Sequence, residues 1–314
     1  MMLKYSRKLT VLFGVLALML IIASGCSSGQ KENSGASQGK GREIKHELGT
    51  AHISGTPKRV VVLENSFVDA VTKLGVKPVG IADDKKKDMI EKLVGGPIEY
   101  TSVGTRSEPN LEIISSLKPD LIIADAERHK NVYRDLKGIA PTIVLKSREA
   151  TYQETIDGFQ TIAKALNKEK EGKQDLADHQ KQMGSLKSKL PKKENRTIML
   201  GVARTDSFNV HTSSSYDGEI MEILGFKHAL QSKEAYKDVS LEQLSEINPD
   251  ILFVSSNEGH TIVDDWKSNP IWKNLKAVKN GQVYDADRDL WTRFRGISSS
   301  EKLSKDLIQK VYGK

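Results

Sequence analysis

Six arginines stand where a folded chain could turn them toward one ligand. Arg106 follows Val103-Gly104-Thr105, Arg128 follows an apolar run ending at Ala124-Asp125, and Arg204 follows another ending at Val202-Ala203. Arg288, Arg293 and Arg295 crowd the segment 287–296, interleaved with Trp291 and Phe294. A guanidinium is planar, keeps its charge, and presents a fork of donors that matches a carboxylate. Several facing one pocket repel each other until an anion enters. Charge-assisted hydrogen bonds contribute roughly 1.5 to 3 kcal/mol each, so four to six of them could outweigh the cost of ordering a small polyanion. Taken singly, any of these arginines could be a solvated surface residue, and Arg288 could simply pair with Asp289.

The case for a shared pocket rests on the elements that carry them. Residues 59–63 read as a buried strand, 67–74 as a helix stopped by Gly75, and 76–81 as strand again. A helix at 110–116, a strand at 120–124, a helix at 130–137 and a strand at 141–145 continue the alternation. This predicts a parallel sheet covered by helices over 57–150. The stretch 152–190 lacks proline, is rich in Lys, Glu, Gln and Ala, and has helical apolar spacing at Ile156, Phe159, Ile162, Ala163 and Leu166. It predicts one long helix within a connecting segment 151–191, with Gly172 as the place where it would break. A second series follows in 192–314: strand 197–202, helix 218–224, strand 251–254, helix 262–266, strand 282–285 and a closing helix 299–312. The fold class expected is therefore α/β, with two Rossmann-like lobes of parallel sheet joined by one long helix. Most of the arginines fall just beyond the carboxyl ends of predicted strands, the edge where open α/β sheets bind ligands.

One unit occurs in both halves. The run from Leu111-Glu112 through Pro119-Asp120 to Leu121-Ile122-Ile123 matches Leu241-Glu242 through Pro249-Asp250 to Ile251-Leu252-Phe253 in step. Two similar lobes imply a cleft between them.

The amino terminus says where this body resides. Lys4, Arg7 and Lys8 precede an apolar stretch from Leu9 to Ala23, and small residues lead to Cys26, the only cysteine of 314 residues. That is the layout of a lipoprotein signal over 1–25, and the apolar run is short of the roughly 18 to 20 residues a membrane span needs. Lipidation of Cys26 would leave no thiol for disulfides or nucleophilic catalysis. Residues 26–56 would then be the lipidated end and a flexible tether, with 27–41 almost free of apolar side chains. The formal charge of +7 includes the signal's three basic residues, and neither it nor the few aromatics points to nucleic acid.

Together the lipobox, the opening Pro57-Lys58-Arg59-Val60-Val61, the paired Leu-Glu/Pro-Asp units and the long connecting helix resemble the substrate-binding lipoproteins of ABC importers for iron-siderophores and cobalamin. The resemblance covers about 57–314. It implies a class III periplasmic-binding-protein fold, a lipid anchor on the outer face of the cell membrane in a Gram-positive type of cell, and a monomer. It also implies delivery to permease subunits, and indirectly their ATPase, through Glu112 and Glu242 at the starts of the repeated helices. Capping of the helix dipole would also account for both glutamates. Within the family the arginine set resembles binders of ferric citrate and of citrate-based carboxylate siderophores such as staphyloferrin A. Arg106, Arg128, Arg288, Arg293 and Arg295 match most directly; Arg204, His211 and Trp291 fall in stretches that line the same pocket. A mixed citrate-hydroxamate ligand of the schizokinen type is the alternative, and cobalamin a remoter one.

Neither a cofactor nor a direct protein–iron bond is expected. Citrate already supplies the hard oxygen donors ferric ion prefers, and the seven histidines have no metal-ligand spacing. His129 could add a donor to the ligand, and Tyr216 is a weaker candidate. No Gly-x-Ser-x-Gly, phosphate-cradling loop or two-histidine metal motif occurs, so an enzyme is not expected and an envelope hydrolase is a distant alternative.

Overall fold

The computed structural model describes residues 41–256 and 259–313. The signal, Cys26 and the tether up to residue 40 lie outside the described residues. The remainder of the expected tether is not a tether. Strands β1 (Arg42–His46) and β2 (Gly49–Ile53) pair as an antiparallel hairpin. Ile44, Ala51 and Ile53 alternate inward to join the first core, and the Glu47 N–H donates to Val144 O at 3.0 Å. The burying residues are few and spaced by two, so no apolar run announces them.

The first sheet contains β3 (Val60–Val62), β4 (Gly80–Ile81), β5 (Thr101–Ser102), β6 (Leu121–Asp125) and β7 (Thr142–Leu145). It is parallel throughout, in the order β5-β4-β3-β6-β7. Its crossovers are α1 (Asn65–Lys73), α2 (Lys87–Val94), α3 (Leu111–Ser116) and α4 (Tyr133–Ile139). The strand order reverses between β3 and β6, so a crevice opens beyond their carboxyl ends.

The connecting segment is helical but is not a single helix. It comprises α5 (Tyr152–Ala165) and α6 (Glu169–Ser188). The break lies at 166–168, where Asn167 adopts the left-handed conformation, not at Gly172. Gly172 serves the return instead: a Cβ there would come within 2.6 Å of the Ala163 Cβ, so only glycine lets α6 pack this closely on α5. Arg42 of the hairpin donates to the carbonyls of Lys164 and Ala165 at the end of α5, which α-helical bonding leaves free.

The second sheet contains β8 (Thr197–Ala203), β9 (Phe208–His211), β10 (Lys227–His228), β11 (Tyr236–Asp238), β12 (Ile251–Ser256) and β13 (Val283–Ala286). Strands β8, β12 and β13 are parallel, with β10 pairing alongside β8. Strand β9 runs antiparallel to β8 and β11, so this lobe is mixed where a wholly parallel sheet was expected. Arg204 therefore sits in a hairpin turn, its N–H bonded to Ser207 O. The helices here are α7 (Tyr216–Leu224), α8 (Leu241–Ile247), α9 (Ile262–Trp266), α10 (Pro270–Asn274), α11 (Lys276–Lys279), a π-helical turn at Asp289–Arg293 and α12 (Ile297–Tyr312).

The repeated unit has a physical basis in both halves. Asp120, between α3 and β6, accepts the N–H groups of Lys58 and Arg59 just before β3. Asp250, between α8 and β12, accepts the N–H and hydroxyl of Thr197 at the start of β8. Each aspartate fastens its own strand to the entry of the neighbouring one.

The segment leading into α12 ties the lobes together. Phe294 and Ile297 belong to the core of the first lobe, and the buried Asp69 of α1 accepts the Ser298 N–H at 3.1 Å. Gly296 is required here twice over, with φ +134° and an imaginary Cβ only 2.0 Å from the Asp69 carboxylate. Burial pushes the Asp69 carboxyl up to about 6. The folded protein thus holds this proton more tightly than the unfolded chain, and stability should fall as pH rises from about 4 to 6 and then level. In Asp69→Asn that decline should vanish, leaving the variant more stable than the parent by roughly 3 kcal/mol at pH 7. Urea unfolding across this pH range tests it.

Candidate functional site

The cleft between the sheets, about 360 Å³ in volume, is lined by seven arginines: Arg106, Arg128, Arg148, Arg204, Arg288, Arg293 and Arg295. Asn209, His211, Tyr236 and Thr292 complete its polar wall. All six arginines singled out in the sequence meet here, together with His211. Arg148 obeys the rule that picked out the others, since it lies just past the carboxyl end of β7.

The first-lobe side is held by carboxylates. Glu64, at the end of β3, is only 2% exposed and pairs with Arg128 Nε and, at 3.5 Å, with Arg106 Nη1. Burial raises the Glu64 carboxyl above its ordinary range, while Arg106 and Arg128 oppose that rise. Asp84 grips Arg106 from another direction, accepting its backbone N–H at 2.9 Å and approaching Nη2 at 2.6 Å. Asp84 and Lys85 both adopt positive φ, a conformation costly for residues with a Cβ and often found beside binding sites. Asp125, fully buried at the end of β6, accepts the N–H groups of Arg128, Ser147 and Arg148 and so fixes both loops that carry Arg128 and Arg148.

His129 does not face the ligand space. Its Nδ1 accepts the Asp125 N–H, and Nε2 meets Arg106 O at 2.8 Å. With both ring nitrogens committed, it braces the Arg106 loop. Burial first lowers its proton affinity, consistent with a neutral ring donating from Nε2.

The second-lobe side is poorer in counter-charge. Arg293 pairs with Asp289 at 2.6 Å, an acid also shared with Lys92 of α2. Buried nitrogens of Arg288 (Nε and Nη1) and Arg295 (Nε) find no hydrogen-bond partner among the described residues; nor does Arg128 Nε on the other side, but Arg128 has the Glu64 ion pair in its place. Burial, then the neighbouring Arg293 and Arg204, lowers the proton affinity of Arg288. Tyr236 spans the cleft: its hydroxyl accepts from Arg295 Nη2 at 2.8 Å and donates to Arg148 O at 3.0 Å. The His211 ring packs edge-on against Tyr236, and its Nδ1 lies 2.6 Å from Asp217. Burial opposes ionisation of Asp217, yet His211 leaves its carboxyl below the usual range.

Trp291 is not a cleft residue. The π-helical turn directs Arg288, Thr292 and Arg293 to the cleft and puts Trp291 on the opposite side. It is 1% exposed, stacked on Phe253 at 4.3 Å, with Nε1 donating to Asp306 at 2.7 Å. An aromatic between arginines reads alike whether it lines a pocket or backs it. Tyr216 is likewise core, its hydroxyl bonded to Gly296 O and N. Glu112 and Glu242 are exposed in the first turns of α3 and α8. Sequence reasoning missed Glu64, Asp84, Arg148, Asn209 and Tyr236. Glu64 had a signal, an acid closing the apolar strand run 60–63; Tyr236 and Asn209 had none, because β9 and β11 are too short to stand out.

A family model described as periplasmic binding protein matches residues 60–290. The chain is 70% identical over 312 residues to the Fe(3+)-citrate-binding protein YfmC of Bacillus subtilis (strain 168), covering 99% of each. It is 38% identical over 268 residues to the Fe(3+) dicitrate-binding periplasmic protein FecB of Escherichia coli (strain K12), covering 85% of this chain and 89% of that one. Among solved structures, Staphylococcus aureus SirA complexed with staphyloferrin B superposes with a TM-score of 0.73 at 32% identity, covering 86% of this chain and 98% of that one.

The two sides of the cleft should respond oppositely to loss of an arginine in the ligand-free protein. Arg106→Met leaves Glu64 and Asp84 without their partner and should cost about 3 kcal/mol, whereas Arg288→Met removes a crowded, poorly partnered cation and should be neutral or stabilising by about 1 kcal/mol. Chemical denaturation of both variants measures the contrast.

Proposed function

The chain belongs to the family of periplasmic binding proteins, and from that premise we propose that it is the lipid-anchored solute-binding protein of an ABC importer, capturing ferric citrate or a citrate-based carboxylate siderophore. The observation that carries this reading is the convergence of seven arginines on one cleft, a lining suited to carboxylates left free on an iron complex. The 70% identity to a protein named for Fe(3+)-citrate binding supports citrate as the ligand chemistry. Iron is cargo here: citrate oxygens hold the metal, and the protein holds citrate.

In this reading residues 57–150 and 192–314 act as two lobes, with 151–191 between them. Arg106, Arg128, Arg204, Arg288, Arg293 and Arg295, with His211, contact the ligand. Arg148 and Tyr236 join them from their places in the cleft wall. The relatives are named as binding proteins, and we read this chain as a binder too, not an enzyme. Among the described residues no helix is long and apolar enough to cross a membrane; the attachment we propose is a lipid on Cys26, a reading supported by a 36% identical relative named a putative ABC transporter substrate-binding lipoprotein, YhfQ of Bacillus subtilis (strain 168). Exposed Glu112 and Glu242, one per lobe, would dock to the two permease subunits.

Isothermal titration of the full-length protein in detergent tests the ligand. Ferric citrate should bind saturably with submicromolar affinity, worth more than about 8 kcal/mol, and outcompete iron-free citrate, ferric schizokinen and a ferric catecholate. Preference for schizokinen or the catecholate would overturn the citrate assignment. Glu112→Ala and Glu242→Ala should leave this binding unchanged while abolishing iron-citrate uptake by cells.

A further inference from the structure

We infer that Glu64 is a built-in anion that sets the charge of the ligand the cleft accepts, neutralising Arg106 and Arg128 so that the ligand's free carboxylates seat chiefly on Arg288 and Arg295 across the cleft. The inference rests on the functional reading above and deepens it.

Three features of Glu64 single it out. It occupies the N-cap position of α1, yet its carboxylate makes no capping bond to that helix and turns to the guanidiniums instead. It is nearly inaccessible, in contact with both Arg106 and Arg128, and a buried carboxylate is retained only where cations hold it. Its direct contacts are unequal across the cleft, reaching Arg106 and Arg128, while Arg295 feels its charge without an ion pair. With Asp84 also bound, each guanidinium nitrogen of Arg106 meets a carboxylate, and Arg128 donates to Ser107 from Nη1 while its Nε, which has no hydrogen-bond partner among the described residues, is held against Glu64 as an ion pair. Arg288 and Arg295 keep buried N–H groups with no partner among the described residues. An entering polyanion gains most where donors are unsatisfied and least where a carboxylate already sits.

A unit charge several ångströms from the ligand, in the effective dielectric of a protein, alters affinity by about tenfold or more, and more for a ligand of higher charge. Ferric citrate keeps more free negative charge than ferric schizokinen, whose hydroxamates replace two carboxylates. The experiment is isothermal titration of both complexes into full-length wild type, Glu64→Gln and Glu64→Asp, with melting curves to confirm folding. Glu64→Gln should shift preference toward ferric citrate by about tenfold and steepen its salt dependence, while Glu64→Asp, which keeps the charge, should retain the wild-type preference. An equal change for both complexes in Glu64→Gln would make Glu64 merely structural and overturn the inference alone. Wild type that binds neither complex would sink the functional reading and the inference with it. Should Glu64→Gln fail to fold, Arg288→Gln must still weaken ferric citrate about tenfold more than Arg128→Gln; equal losses would overturn the inference.

Discussion

Mutual repulsion among guanidiniums is the constraint around which this molecule is arranged. Seven arginines line one cleft, and their desolvated charges would push the lobes apart unless something in the protein, or a ligand, compensates. Glu64 and Asp84 compensate Arg106 and Arg128 on the first-lobe side; on the second, Asp289 pairs with Arg293, and Glu64 and Asp217 act on Arg295 only at a distance. The cleft is thereby stable enough to exist without ligand and still short of negative charge. Stability has been traded for binding, as is common at functional sites.

The fold supplies the geometry this balance requires. Glu64 and Arg128 follow the adjacent strands β3 and β6, at the point where the strand order of the first sheet reverses. The buried Asp125 and His129 then hold the neighbouring loops through backbone bonds, fixing where the arginine side chains start. On the other side the π-helical turn compresses Arg288 and Arg293 onto one face while Trp291 anchors the turn from behind. Because the next residues, Phe294 and Ile297, are buried in the first-lobe core, the second-lobe arginines are pinned relative to the first-lobe ones. The Arg295–Tyr236–Arg148 chain adds a direct link across the opening.

Much of this was legible in the sequence because it follows from periodicity and from chain chemistry at strand ends. Most of the six arginines could be placed just beyond strand ends without knowing their contacts, and the repeated Pro-Asp turn marked two units whose aspartates do the same work. What escaped was set by short or long-range structure. The hairpin 42–53, β9 and β11 bury too few residues to show a period, and Tyr236 was hidden with them. The break at Asn167 depends on a single left-handed residue, whereas Gly172, which looked like a breaker, is a close-packing glycine. Trp291, read with the arginines it is interleaved among, instead backs their turn, stacked on Phe253. Glu64 was visible as an acid at a strand end, but its meaning required seeing the two arginines it holds.

A crystal structure of the ferric citrate complex tests the central claim most directly. The account predicts citrate carboxylates at about 2.7 to 2.9 Å from the guanidinium nitrogens of Arg288 and Arg295, with Glu64 still lodged between Arg106 and Arg128. A complex in which Glu64 has swung out, and Arg106 and Arg128 instead grip the ligand with both arms of their forks, would contradict it.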